Sequence, residues 1–352
     1  MRIPTKIIKS KADALKYVEE IGYEGSISVG GPLNKARTIG GRLTFSYEDE
    51  TRGDQYINKD WFRRTVDGES KLALRELKLN AIREWDTDRD IAAVLDLKAN
   101  EYLRFFWKGS HSLNRNREKR PQLEYRFNKG TYAAIGPNGA SIEAFEVERG
   151  LYEIKNEYEV AETTLGSEWE EGDWEADVKF VYQEDTYRPI DYFNVDFVSP
   201  DVDATYDLDS YLFPVVAIDN GGSIDDSSQF AIEDFTIRDR NRGEMDTIGS
   251  TNLRWKNAFG NEKLSLRIGA KSRQRDFDTF SETAYYGASS DLPLTLADAE
   301  WTNNGINLIS DRYRYGPAVD RVKIESLIEE NFDSFPYDER RSREAVSYTH
   351  LR

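Results

Sequence analysis

Five arginines, Arg238, Arg240, Arg242, Arg273 and Arg275, fall at the loop ends of what read as neighbouring strands. Guanidinium forks grouped in this way can clamp an anionic ligand such as a ferric chelate. They can equally pair with Asp and Glu along a polar wall, or meet lipopolysaccharide phosphate, and the residues leave all three uses open. A second set, Tyr285, Tyr286, Trp301, Tyr313 and Tyr315, could form an aromatic platform for a sugar or chelate. Ordinary loop packing is its other reading. The carboxylate pairs Asp225-Asp226 and Glu170-Glu171 lack the spacing of a calcium loop and read as solvated charge.

Other chemistry has little to work with. The chain has 352 residues and no cysteine, so disulfide frameworks and thiolate metal sites are out. Its only histidines are His111 and His350, too few for a histidine metal centre or a catalytic triad of the usual kind. Catalytic residues, metal ligands and cofactors are therefore not expected. A net charge of −17 argues against nucleic acid, which needs a basic footprint. Only 38% of residues are apolar and mean hydropathy is −0.72. No run approaches the ~18 apolar residues of a membrane helix. A barrel strand is apolar only at every second position, so low hydropathy does not argue against a membrane barrel.

The elements that would position these residues are strands. Ala161, Thr163, Leu165, Ser167 and Trp169 alternate with polar residues up to a turn at Glu170–Asp173. Trp174, Ala176, Val178, Phe180 and Tyr182 return on the same face, with Glu175, Asp177 and Lys179 on the other. Three similar hairpins precede or follow. Gly25–Gly31 returns as Ile39–Tyr47, Ile91–Leu97 returns as Leu103–Gly109, and Gly249–Trp255 returns as Leu264–Ala270. Between hairpins lie long polar stretches, about 49–82, 110–150 and 184–244, which read as loops. Short turns at one end and long loops at the other is the polarity of bacterial outer-membrane barrels. A soluble extracellular β-rich binding domain remains the alternative that alternation alone permits.

Particular motifs carry a family likeness. Ser28-Val29-Gly30-Gly31-Pro32-Leu33-Asn34 with Gly41-Arg42-Leu43 resembles the first barrel hairpin of TonB-dependent outer-membrane receptors. Thr164-Leu165-Gly166-Ser167-Glu168-Trp169 with Gly172-Asp173-Trp174 resembles a mid-barrel hairpin of that family, and Leu266–Arg273 another. Ile3-Pro4-Thr5-Lys6 resembles the end of its plug domain. The likeness spans about residues 3–345. It implies an active transporter of the outer membrane, with no covalent chemistry. The cargo would be a scarce nutrient such as an iron–siderophore chelate or an oligosaccharide. Its partners would be a TonB-type energy-coupling protein acting through the plug, outer-membrane lipid and lipopolysaccharide. A passive porin or structural barrel is the second reading.

The expected fold is thus all-β: an antiparallel transmembrane barrel fragment, an open curved sheet of about eight strands with long extracellular loops. Family barrels have about twenty-two strands, so much of the barrel and most of the plug are expected outside this chain. Residues 1–20 are expected to hold the plug's end, 21–277 the partial barrel and 278–345 a long extracellular loop. Residues 346–352, Val-Ser-Tyr-Thr-His-Leu-Arg, read as a translated sequencing-adapter scar. Phe45, Leu95, Phe105, Phe180 and Ile268 are expected on the lipid face, with Arg42, Asp96, Arg104, Asp177 and Arg267 on the concave one.

Overall fold

The computed structural model describes residues 6–10, 20–209, 212–219, 224–301, 307–308 and 313–351. They form β1 (Lys6–Ser10), β2 (Glu20–Pro32), β3 (Ile39–Val66), β4 (Glu69–Lys98), β5 (Leu103–Arg126), β6 (Thr131–Gly136) and β7 (Gly139–Glu171). These are followed by β8 (Trp174–Asp207), β9 (Val215–Ile218), β10 (Ala231–Trp255), β11 (Leu266–Gly287), β12 (Asn307–Leu308), β13 (Tyr313–Arg314), the helix α1 (Arg321–Glu330) and β14 (Arg343–Leu351). Twelve strands make one antiparallel sheet, and among the described residues β12 pairs with β13 alone. Its path runs β1-β2-β3-β4-β5-β7-β8-β10-β11-β14, with β6 added on β7 and β9 on β8, and it does not close. The eight strands of the four expected hairpins are β2, β3, β4, β5, β7, β8, β10 and β11.

Those strands are much longer than expected. β7 has 33 residues and β8 has 34, about 110 Å of chain at the rise of an extended strand. The stretches read as polar loops are mostly strand. β3 and β4 stay paired out to Val66 and Glu69 and join through Asp67 and Gly68. Both turn residues have positive φ, 53° and 78°, as a two-residue hairpin turn with the right twist requires. Leu74, Leu77 and Leu79 are buried here, but charged residues interrupt the apolar positions and a bulge at Arg75 shifts the alternation between Leu74 and Leu77, so the periodicity is broken. The stretch 278–345 is not one loop either. β11 continues to Gly287, and α1 and its flanks pack on the sheet. Of residues 1–20, only 6–10 and Glu20 are described, as β1 against the start of β2. The backbone of 343–351 pairs with β11 between Arg275 and Thr283. An open edge takes an extended segment through backbone groups, whatever its side chains.

Directly opposed residues share a face of a sheet. One row joins Leu95, Trp107, Leu165, Phe180 and Gly249, and the next joins Leu97, Phe105, Ser167, Val178 and Thr251. Phe45, Leu95, Phe105, Phe180 and Ile268 therefore lie on one face, and all are exposed. Arg42, Asp96, Arg104, Asp177 and Arg267 lie on the other, where Arg104 bridges Asp96 and Glu168. The two faces sort as the alternation implies.

Further along the strands the apolar face changes. A belt of ion pairs comes first: Arg115 with Glu157 at 2.8 Å, Arg117 with Glu153 at 2.7 Å, and Arg188 with Glu157. Beyond the belt the face is dry. Leu79, Leu123, Leu151, Val195, Phe197 and Phe235 are buried under Leu294, Leu296, Tyr315, Val319 and the α1 residues Ile324 and Ile328. The carboxylate of Asp320 caps α1 by accepting from the backbone N–H groups of Val322 and Lys323. One cation pins this cover. The guanidinium of Arg149, fully buried, donates to the carbonyls of Tyr315, Pro317 and Ile224. Gly316 has φ +77°, and a Cβ there would meet Arg149 Nη2 at 2.7 Å.

β8 reaches that core only through a bulge. Its apolar-face residues are even-numbered from Trp174 to Tyr182 and odd-numbered from Phe193 to Phe197. Lys155 opposes Asp191 while Asn156 opposes Pro189, which leaves Ile190 as the extra residue that reverses the alternation. Deleting Ile190 should turn either the exposed apolar stretch or Phe193, Val195 and Phe197 to the wrong face. The expected result is a chain that no longer refolds to a cooperative unfolding transition, read by circular dichroism. Arg149→Met should leave three carbonyls unpaired, at about 1–3 kcal/mol each. Hydrogen exchange should then rise in 313–330 while the short hairpins stay protected.

Candidate functional site

The polar face carries the strongest concentration of recognition chemistry. Along β10, the even positions give a column: Asp234, Thr236, Arg238, Arg240, Arg242, Glu244 and Asp246. All five expected arginines lie on this face, three on β10 and Arg273 and Arg275 on the paired β11. They divide into two groups. Arg273 and Arg275 both hold Asp246, Arg273 from Nε at 3.0 Å and Arg275 from Nη2 at 3.1 Å, and Arg275 also reaches Glu244 at 3.0 Å. Arg242 takes the other side of Glu244 at 3.2 Å. Pairing with Asp and Glu along a polar wall, one of the uses open in the sequence, describes these four contacts of three arginines. Arg238 and Arg240 have no carboxylate among the described residues. Arg238 donates from Nε to the Thr283 hydroxyl at 3.1 Å.

Both of these arginines lie over tyrosines that the sequence reading passed over. Arg238 is 4.5 Å from the centre of Tyr192, and Arg240 is 5.7 Å from that of Tyr187. Tyr192 meets Tyr152 edge-on at 5.4 Å, and Arg120 lies 4.9 Å over Tyr152. Tyr187 meets Tyr158 at 4.6 Å and donates its hydroxyl to Asn156 Oδ1 at 2.9 Å. Guanidinium over a phenol ring is a favourable electrostatic contact. Burial pushes the Tyr152 phenol up to about 12, so it stays a neutral donor at physiological pH. These tyrosines lie at 152–158 and 187–192, where charged neighbours on both faces mask the alternation. The usable signal was a tyrosine or arginine recurring at even spacing.

The expected aromatic platform is dispersed. Tyr315 is fully buried, with its hydroxyl donating to the Gln122 carbonyl at 2.7 Å. Tyr286 stacks on Phe235 at 4.8 Å, while Tyr285 lies under Arg341 at 4.6 Å. Tyr313 donates to the Pro214 carbonyl at 2.6 Å, and Trp301 lies under Lys119 at 5.5 Å. Each packs with different partners on the cover or at its edge.

At the head of the arginine column two acids face each other, Asp234 opposite Asp196. Asp234 is bridged by Arg341, and Asp196 accepts from the Asn194 amide at 2.7 Å. Gly150 makes room for the pair, since a Cβ there would lie 2.4 Å from Asp196 Oδ1. Burial, then the neighbouring Asp234, raises the Asp196 carboxyl to about 7. Among the described residues no group of three or more His, Cys, Asp or Glu is arranged to hold a metal ion.

No protein-family model, curated protein or solved structure matches this chain.

The raised Asp196 pKa has a definite sign. Folded, the carboxyl keeps its proton up to about pH 7, while the unfolded group loses it near pH 4. Between those values the folded state binds the extra proton, so stability falls as pH rises through that window. Urea midpoints should be lower at pH 7.5 than at pH 5, and Asp196→Asn should flatten the dependence. An unchanged slope in the Asn variant would refute the assignment.

Proposed function

We propose that this chain forms part of the wall of a TonB-dependent outer-membrane transporter, with its apolar face against lipid and its polar face toward the transport path. The observation that carries the reading is the short reach of the bare apolar surface. On β8 it runs from Trp174 to Tyr182, nine residues, with Val178 53% and Phe180 44% exposed. A barrel strand crosses the hydrocarbon with about 9–11 tilted residues. Past that length the same face turns to ion pairs. At the short-turn end Trp174 stacks on Trp255 at 5.3 Å and Phe259 meets Trp255 at 5.0 Å, which suits an interfacial aromatic girdle. The apolar side chains exposed on this face, carried by all eight strands from Ile27 on β2 to Ile268 on β11, have no protein cover among the described residues, too broad a surface for a monomer in water to leave bare.

The family part of the reading rests on the motif likeness. On it, the cargo is a scarce nutrient such as an iron–siderophore chelate or an oligosaccharide, and a TonB-type protein supplies the energy through the plug. Such uptake is concentrative and stops when a protonophore collapses the inner-membrane gradient. A passive porin would continue to equilibrate its solute. The dry core under residues 294–335 suits a water-soluble β domain equally well, and that is the outcome that a detergent-free monomer would establish.

The membrane assignment is tested at one pair of neighbours. Val178→Arg should cost about 2–4 kcal/mol of folding free energy in lipid vesicles, because a charge would face hydrocarbon. Lys179→Arg should be nearly silent, because that side chain faces the polar side. Equal effects at the two positions would rule out the assignment.

A further inference from the structure

We infer that the corner formed by Tyr158, Tyr187 and Arg240 on the polar face is a binding site for a small planar aromatic carboxylate. A cavity of about 310 Å³ opens there between β7, β8 and β10, enough for a bicyclic ring with its carboxylate. Tyr158 and Tyr187 form its aromatic side, with ring planes 40° apart. The Tyr187 hydroxyl, held by Asn156, fixes that ring in place. The cation beside it is uncommitted. Arg240 makes neither an ion pair nor a hydrogen bond among the described residues, and its side chain is exposed.

That freedom is not a shortage of acid in a chain of net charge −17. Each carboxylate of the β10 column is engaged elsewhere. Glu244 holds Arg242 and Arg275, Asp246 holds Arg273 and Arg275, and Asp234 holds Arg341. Asp185, on the cavity wall, accepts from the Gln183 amide at 2.9 Å. Asp239, next to Arg240 in sequence, points to the opposite face by alternation. Arg242 also lines the cavity but is held by Glu244, so the site offers one uncommitted planar donor fork and a tyrosine pair. A guanidinium fork matches a carboxylate in shape, and the phenol rings accept an aryl group by offset or edge contact. A multiply charged phosphate suits it less, with Glu244 and Asp185 on its walls. The inference borrows from the uptake reading only that ligands reach this face, since binding is measurable on the isolated chain.

The test uses the full 352-residue chain refolded in detergent micelles, with 2-naphthoate as probe and empty micelles subtracted in equilibrium dialysis. Saturable binding is expected, weakened tenfold or more by added salt, by Arg240→Gln and by Tyr187→Ala. Arg240→Lys should keep part of the affinity, and Arg254→Gln, at the far end of β10, should keep all of it. The uncharged 2-naphthamide and the non-aromatic cyclohexanecarboxylate should both bind at least tenfold more weakly than 2-naphthoate. Equal binding of the amide, equal binding by Arg240→Gln, or no saturable binding by a chain with its native circular dichroism would overturn the site. A chain that binds 2-naphthoate but fails to insert into vesicles would keep the site and discard the transporter.

Discussion

Alternation along an unbroken antiparallel ladder is the constraint on which the rest depends. A strand has two faces, and a slip of one residue exchanges them. β7 holds one alternation against β5 from Leu103 opposite Trp169 to Arg126 opposite Glu146, without a shift. Over that length one face passes from bare apolar to ion-paired to dry core, and the other stays polar. β8 keeps pace only because Ile190 is inserted. Without the bulge its Phe180 and its Phe193 would belong to opposite faces.

Three environments on one face mean three ways of satisfying the same backbone. Near the short turns the side chains are apolar and the backbone bonds only within the sheet, which is the condition hydrocarbon imposes. In the middle, the half-exposed Arg115, Arg117 and Arg188 share the buried carboxylates of Glu153 and Glu157, whose desolvation offsets much of what the pairing gains. Their position matters more than their energy, since they separate bare surface from dry core. At the far end the sheet is covered as in a soluble domain, and Arg149 does there what a backbone strand would do. It supplies donors to three carbonyls of a cover that forms no ladder with the sheet at that point. Gly316 is the matching concession, a position where any side chain would collide with that guanidinium.

The polar face uses charge differently. Three arginines stand between acids down the β10 column, and the carboxylates at its lower end, Glu244 and Asp246, are neutralised across to β11. The exception is the stretch holding Arg238 and Arg240, where the partners are tyrosine rings. Apart from Arg238 Nε, which donates to the Thr283 hydroxyl, ring partners leave the forks' donors open, so this stretch combines positive potential with flat hydrophobic surface. That combination, within an acidic protein, is what the proposed binding site rests on.

Much of this was legible in the residues. Period-two alternation from Trp174 to Tyr182, and in its seven counterparts, determined the all-β class, the four hairpins and which residues share a face, because each of those follows from local geometry. The arginines too were visible, as a group on neighbouring strands. Other features were decided only in three dimensions. Polar stretches became strands because a neighbouring ladder supplies their hydrogen bonds, whatever their hydropathy. Tyr315 became core because the cover brings it beneath the sheet's far end, a contact with Gln122 across 193 positions of chain. Which arginines are neutralised was decided by the register of β10 against β11, since pairing depends on which carboxylate lies opposite, and that is a property of two strands together.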